Sequence, residues 1–329
     1  MEYKVIEGGG ITSPKGFTAG AVYVGVKSRK TQKPDVAVLY SETEASCAAV
    51  FTTNKFCAAP VILDREILKN GKARAIVINS GNANAATGTQ GIEDARTVER
   101  EAEKLLGVGE NEVFVCSTGV IGQKLPVEKV LDGVRQIIPA KLDKANGSDA
   151  AYAIMTTDTV RKESAYELEL SSGTIRIGAM AKGSGMIHPN MATMLLFITT
   201  DAKVEPAVLQ AALSSVVPAT FNQISVDGDT STNDTVLLLA SGLSGAEIVD
   251  GTPDYDTFVA ALTEAAEQLS RELAGDGEGA TKLLECTVTG APDLLTARAV
   301  SKSVIHSTLF KAAMFGADAN WGRVLCAIG

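Results

Sequence analysis

The chain has 329 residues, 45% of them hydrophobic, and a formal net charge of −9 spread over interspersed acidic and basic side chains. It can bury a large core, as one α/β domain or two interlocked ones, and it lacks the concentrated basic face of a nucleic-acid footprint. No apolar run approaches the ~20 residues of a membrane span, and MEYKVIEGGG has neither the basic nor the apolar segment of a signal peptide.

Apolar runs predict strands at Val36–Tyr40, Ala48–Thr52 and Ala75–Asn79. A helix follows in GIEDARTVEREAEKLLG, where Ala95, Val98, Ala102 and Leu105 share a face. Val113–Ser117 is a strand and VEKVLDGVRQII a helix; strands at Tyr166–Leu170, Ile175–Ala179 and Met194–Thr199 come next. EPAVLQAALSSVV, with Pro206 in its first turn, is helical, Thr235–Ala240 a strand, and YDTFVAALTEAAEQLSREL a helix. Leu283–Val288 predicts a last strand and DLLTARAVSKSVIHSTLFKAAMFG a last helix. The elements lack strict βαβ alternation, which favours layered β-sheets flanked by helices over a doubly wound sheet. The chain ends on GRVLCAIG, a strand-like or core-like segment whose abruptness leads us to expect further sequence.

Five cysteines (Cys47, Cys57, Cys116, Cys286, Cys326) lie in or beside apolar runs without a CxxC pair, and predict buried free thiols in a reducing cytoplasm. With His188 and His306 as the two histidines, an imidazole metal site is not expected. A Ser-His-Asp triad fares no better, because His306 falls in an apolar-periodic helix and neither histidine accompanies a GxSxG elbow.

Five polar loops border apolar strands or helices: NSGNANAATGTQG, STGVIG, SVDGDTSTND, GDGEGATK and FGADANWGR. Each alone reads as an ordinary turn; together they predict a polar pocket at strand ends. GDGEGATK lacks the GxxxxGK[ST] spacing of a phosphate cradle, and its Glu278 suits a cationic amine better than an anion.

The sharpest feature is KGSGMIHPNMATMLLFITTDA, a loop followed without a break by an apolar strand, with Thr193 at the seam after a small Ala192. Cutting Ala192–Thr193 would give Thr193 a free α-amine, whose pKa of about 7.7–8.0 lets it take the proton of its own hydroxyl near neutrality. The same hydroxyl can make the cut, by an N-to-O acyl shift onto the Ala192 carbonyl and hydrolysis of the ester. The residues alone leave three readings open: a transferase, an amidohydrolase or aminopeptidase using the same threonine, and a catalytically silent binding protein.

KGSGMIHPNMATML closely resembles the self-cleavage segment of the ornithine acetyltransferases, the bifunctional glutamate N-acetyltransferase/amino-acid acetyltransferases of the arginine pathway. VFTTNKFCAAPV, NSGNANAATGTQG, STGVIGQKLP, MTTDT, SVDGDTSTNDT, GDGEGATK and FGADANWGR resemble that family's signatures in the same order, across the whole chain. The resemblance implies a mixed α+β fold, αββα-like, of the DmpA/ornithine-acetyltransferase type. It implies an α chain of residues 1–192 and a β chain of 193–329, paired as a heterotetramer of two of each. It implies Thr193 as nucleophile, Thr118 and Gly119 as the oxyanion-hole pair, and Thr156, Lys182, Thr193 and Glu278 as substrate contacts. The substrates implied are N2-acetyl-L-ornithine and L-glutamate, with no metal or other cofactor. Some family members also accept acetyl-CoA as donor, and the loops do not decide that activity here. Family members usually continue beyond NWGR and contact substrate through an Asn and a terminal Ser or Thr, for which these 329 residues hold no counterpart.

Overall fold

The computed structural model describes residues 3–27, 32–187 and 194–329. In chain order come β1 (Tyr3–Val5), β2 (Phe17–Val22), β3 (Val36–Phe51), α1 (Ala59–Ile67), β4 (Lys72–Asn82), α2 (Gly88–Leu106), β5 (Val113–Val120), α3 (Val127–Ile137) and α4 (Gly147–Ile154). Next are β6 (Lys162–Leu170), β7 (Gly173–Lys182), β8 (Leu195–Thr200), β9 (Lys203–Val204), α5 (Pro206–Val216), β10 (Thr235–Ala240) and β11 (Glu247–Ile248). Helices α6 (Pro253–Gly275), α7 (Leu294–His306), α8 (Thr308–Phe315) and α9 (Trp321–Ile328) complete the chain.

Among the described residues nine strands share one mixed sheet in the order β1-β6-β7-β8-β10-β3-β4-β5, with β2 paired to β3 off this path. β4 runs parallel to β5 and β8 parallel to β10, whereas β3 is antiparallel to β2, β4 and β10. The central strands are apolar on both faces because both faces are covered. On β8 and β10, Leu195, Phe197, Leu237 and Leu239 join one buried cluster with β2–β5 and α2–α4. Their alternate neighbours Leu196, Ile198, Val236 and Leu238 join a second cluster with α5 and α6. This places helices on both faces of one large mixed sheet, the mixed α/β fold flanked by helices that the sequence leads us to expect. Helix α2 buries Ala95, Val98 and Ala102 and stops at Gly107, whose φ of 66° closes the helix in the left-handed region.

Several expectations need correction. Val36–Tyr40 and Ala48–Thr52 are two ends of one strand, β3, irregular between Tyr40 and Ala45. The intervening Ser41–Ser46 holds no Gly, Pro or Asn to turn the chain, so it bulges instead. Leu283–Val288 forms no strand: its residues alternate in exposure, but the segment runs beside α6, where Arg271 pairs with Glu285 at 2.8 Å, and joins no ladder. The last predicted helix breaks at Ser307, which caps α8 by accepting the Phe310 N–H. GRVLCAIG is helical rather than strand or core, and α7–α9 pack mainly on one another. Cys47 and Cys116 are buried as expected, whereas Cys57 and Cys286 are half-buried and Cys326 on α9 is exposed.

Candidate active site

The parallel strands β4 and β5 end together, and their ends carry two of the polar loops. At this edge Gly81 pairs with Gly119, and Ser117 Oγ donates to Asn79 Oδ1 at 2.6 Å. Gly119 has a φ of +134°, and a Cβ there would lie 2.3 Å from the Gly81 carbonyl carbon. Both facts demand glycine, and the close approach fixes where the Gly119 N–H lies.

Two further loops are sewn onto this edge. Asn233 Nδ2 donates to the carbonyls of Ala83 (2.6 Å) and Ser117 (2.8 Å), binding SVDGDTSTND to both strand ends. VFTTNKFCAAPV joins through Thr52 Oγ1 to the Ser231 carbonyl (2.9 Å) and Asn54 Nδ2 to the Thr230 carbonyl (2.8 Å). The segment after Lys182 is clamped from the other side: Asp227 accepts the N–H groups of Met186 (2.5 Å) and Ile187 (2.9 Å). Met186 is held there at a φ of +54°, a conformation that costs a side-chain-bearing residue energy.

Lys182 ends β7 and is 8% exposed. Its Nζ donates to Thr118 Oγ1 at 3.3 Å. Burial lowers the Lys182 ammonium pKa below its ordinary value, opposed by Asp158, Asp234 and Glu278. Asp234 stands at the start of β10 and is fully desolvated; burial pushes its carboxyl well up, against the Ser231 hydroxyl, Lys182 and the Met194 N–H. Its Oδ2 has no hydrogen-bond partner among the described residues. Met194 is held a second time, by the Thr235 N–H donating to its carbonyl at 3.1 Å.

The predicted contacts Thr118, Gly119, Lys182, Thr156 and Glu278 therefore gather around one loop. Glu278 lies so close to Gly185 that a Cβ there would sit 2.7 Å from its Oε1, and its N–H donates to the Ser184 carbonyl at 3.0 Å. The Thr156 N–H donates to Asp158 Oδ2 at 3.0 Å, and the Gly183 N–H to Asp158 Oδ1 at 2.7 Å. His188, Ala192 and Thr193 lie outside the described residues; Met194, the next residue, begins beside Asp234. FGADANWGR does not join this group, meeting instead Lys282, whose Nζ donates to the Met314 and Phe315 carbonyls. A cavity of about 680 Å³ between α6 and the C-terminal helices touches Glu278 but neither Thr118 nor Lys182, so it is not the cleft of this cluster. Sequence reasoning passed over Asn79, Asp158, Asp227, Asn233 and Asp234. Asp158 lies in MTTDT and Asp227, Asn233 and Asp234 in SVDGDTSTND, so the motifs mark the segments without giving these residues a role; Asn79 ends a predicted strand.

The ArgJ family model matches residues 18–329. The chain belongs to the ArgJ family. An arginine biosynthesis bifunctional protein ArgJ from Caldanaerobacter subterraneus subsp. tengcongensis is 51% identical over 98% of this chain and 79% of its own length. Among ArgJ-family crystal structures, that of Bacillus halodurans ArgJ matches with a TM-score of 0.55 and 40% identity, covering 58% of this chain and 98% of that one. The ornithine acetyltransferase of Mycobacterium tuberculosis, solved with ornithine, matches with a TM-score of 0.53 and 36% identity over 58% of this chain and 100% of that one. Among the described residues of this ArgJ-family chain, no helix is long and apolar enough to cross a membrane. Nor do those residues bring together three or more His, Cys, Asp or Glu that could hold a metal ion.

Proposed function

We infer that this chain is an acetyltransferase of arginine biosynthesis that cuts itself at Ala192–Thr193 and moves an acetyl group from N2-acetyl-L-ornithine to L-glutamate. The observation that carries this reading is the contact from Lys182 Nζ to Thr118 Oγ1, at the strand end where Thr118 is followed by Gly119 paired with Gly81. By accepting from the ammonium, the Thr118 hydroxyl keeps its own hydrogen to donate. Together with the Gly119 N–H it makes a two-donor oxyanion site, each donor contributing about 2.7–4 kcal/mol to a developing negative charge.

The freed Thr193 α-amine takes the Oγ proton as Oγ bonds to the acetyl carbon. The oxyanion forms against Thr118 and Gly119, the carbon–nitrogen bond breaks, and the proton passes to the leaving α-amine of ornithine. L-Glutamate then attacks the acetyl ester through its own α-amine, and N-acetyl-L-glutamate leaves as Thr193 regains its proton. Lys182 suits the α-carboxylate of either amino acid. Glu278 suits the side-chain ammonium of ornithine, and Thr156 borders the same loop. The reaction uses no cofactor; acetyl-CoA would enter as an alternative donor. The working form in this reading is two α and two β chains in the cytoplasm.

The cut has support in the proportions of the relatives. The two crystal chains are matched over 98% and 100% of their own length yet cover 58% of this one, the share that residues 1–192 make up of 329. Mass spectrometry of the purified chain tests the reading: two fragments are expected, one beginning at Thr193. An assay of acetylornithine with glutamate should then show acetyl transfer that Thr193→Ala abolishes. An intact chain after long incubation, or transfer surviving in Thr193→Ala, overturns it. Release of free acetate without N-acetylglutamate would make the chain a hydrolase, and a parallel arm with acetyl-CoA decides the second donor.

A further inference from the structure

Under the proposed substrate contacts lies a lysine that the reaction above does not use. Lys162 is fully buried at the start of β6. All three of its ammonium hydrogens have acceptors: Asp158 Oδ1 at 2.9 Å, Asp276 Oδ2 at 2.5 Å and the Val160 carbonyl at 3.3 Å. Asp158 holds the N–H groups of Thr156 and Gly183, the second of which follows Lys182 directly. Asp276 accepts the Thr159 N–H at 3.0 Å, and its carbonyl accepts from Ser184 Oγ at 2.7 Å. Ser184 in turn holds the Glu278 N–H. One ammonium thus joins the three segments that carry Thr156, Lys182 and Glu278, from three distant parts of the chain.

Stability alone does not explain this device. A buried ion triad typically contributes no more than well-packed apolar residues of the same volume would. What it gives is register. Two ionised carboxylates can face one another only with the ammonium between them, and each is also anchored to backbone amides of a different loop. Burial pushes the Asp158 carboxyl up, yet Lys182, Lys162 and the two N–H groups outweigh it and hold the carboxyl below its ordinary range.

We propose that Lys162 is a positioning residue, whose ammonium, shared between Asp158 and Asp276, sets the spacing of Thr156, Lys182 and Glu278 and so the fit of the amino-acid substrate. The kinetic half of this statement rests on the acetyl-transfer reading; the structural half does not. The test uses the full chain as wild type, Lys162→Met and Asp276→Asn, the last retaining shape while removing one charge. Hydrogen exchange is followed at residues 155–160 and 182–187, with β4 as the internal reference. KM and kcat are measured per active site for acetylornithine and glutamate.

Both variants should exchange about tenfold or more faster in the two loops with β4 unchanged, and should raise KM about tenfold while kcat moves far less. Loop protection equal to wild type in both variants overturns the proposal. So does an equal loss of protection in β4, which would make Lys162 a general stabiliser, or wild-type KM values in variants whose loops have loosened. If Lys162→Met does not fold, Asp276→Asn decides by the same criteria. If the wild-type chain transfers no acetyl group, the acetyl-transfer reading fails, and the exchange measurement still decides the role of Lys162.

Discussion

Gly119→Ala is the sharpest perturbation the site offers, because it attacks position without removing any functional atom. The new Cβ would meet the Gly81 carbonyl carbon at 2.3 Å, where 3.4 Å is an ordinary contact, so the two strand ends must part by about 1 Å. A φ of +134° is also closed to alanine. Strain of about 1–3 kcal/mol from the backbone and a similar amount from overpacking give a loss of about 2–6 kcal/mol in folding stability. With the Gly119 N–H in its proposed oxyanion role, a displacement of about 1 Å should cost about a hundredfold in turnover, and complete loss of the donor up to a thousandfold. Gly122→Ala is the matched control: its φ is +80°, but a Cβ there meets nothing within 4 Å, so it pays only backbone strain. Urea unfolding and steady-state acetyl transfer are measured on both. Wild-type kcat in Gly119→Ala, or an equal loss in Gly122→Ala, refutes the reasoning.

Three other outcomes are expected. Lys182→Met should raise KM for acetylornithine about ten- to a hundredfold, the worth of one charged hydrogen bond, while urea stability holds or rises because a desolvated ammonium has been removed. Asn233→Ala leaves the Ala83 and Ser117 carbonyls without their partner and should cost about 1–3 kcal/mol per buried group in urea unfolding, with turnover falling alongside. Glu99 on α2 is 2% exposed, neither of its oxygens receives a hydrogen bond among the described residues, and burial raises its pKa to about 7. The folded state then binds the extra proton between the ordinary carboxylate range and pH 7, so the penalty for its charge is absent in acid and complete above pH 7. Glu99→Gln should therefore be more stable than wild type at pH 8, by about 1 kcal/mol after allowance for screening by solvent, with the gain gone at pH 4.5. A pH-independent difference in urea unfolding would refute this assignment.

Most of the sheet was legible from sequence because its strands are continuous apolar runs covered on both faces, as AIVIN and VLLLA are. The misses have physical causes. Helix α1 does not stand out in the sequence because APVILDREI is short and its buried face of Val61, Leu63, Asp64 and Ile67 includes a carboxyl group, which interrupts the apolar pattern. The 283–288 segment alternates like a strand, but alternation says nothing about whether an open sheet edge lies nearby. In the site, Thr118 and Lys182 came from motif resemblance, and their 3.3 Å contact spans 64 residues. The roles of Asn233 and Lys162 cannot be read locally, because each needs a partner more than 100 residues away: Ser117 for Asn233, and Asp276 as the second carboxylate on Lys162. Local pattern marks polar residues near strand ends; only the packed fold shows which of them meet.

The sheet order has a consequence for the lifetime of the protein once the proposed cut is made. β8 and β10 both come from residues after 193, yet they lie between β7 and β3, which both come from residues before it. A cut at 192–193 therefore leaves two pieces interleaved in one sheet, and separating them means breaking a hydrogen-bonded ladder on each side of the inserted pair. Before the cut, unfolding is a unimolecular event that the chain can reverse alone. Afterwards it becomes a dissociation, and recovery depends on two fragments finding each other at whatever concentration remains. On the proposed reading folding must come before the cut, and the persistence of the two-piece form is set by how slowly it opens.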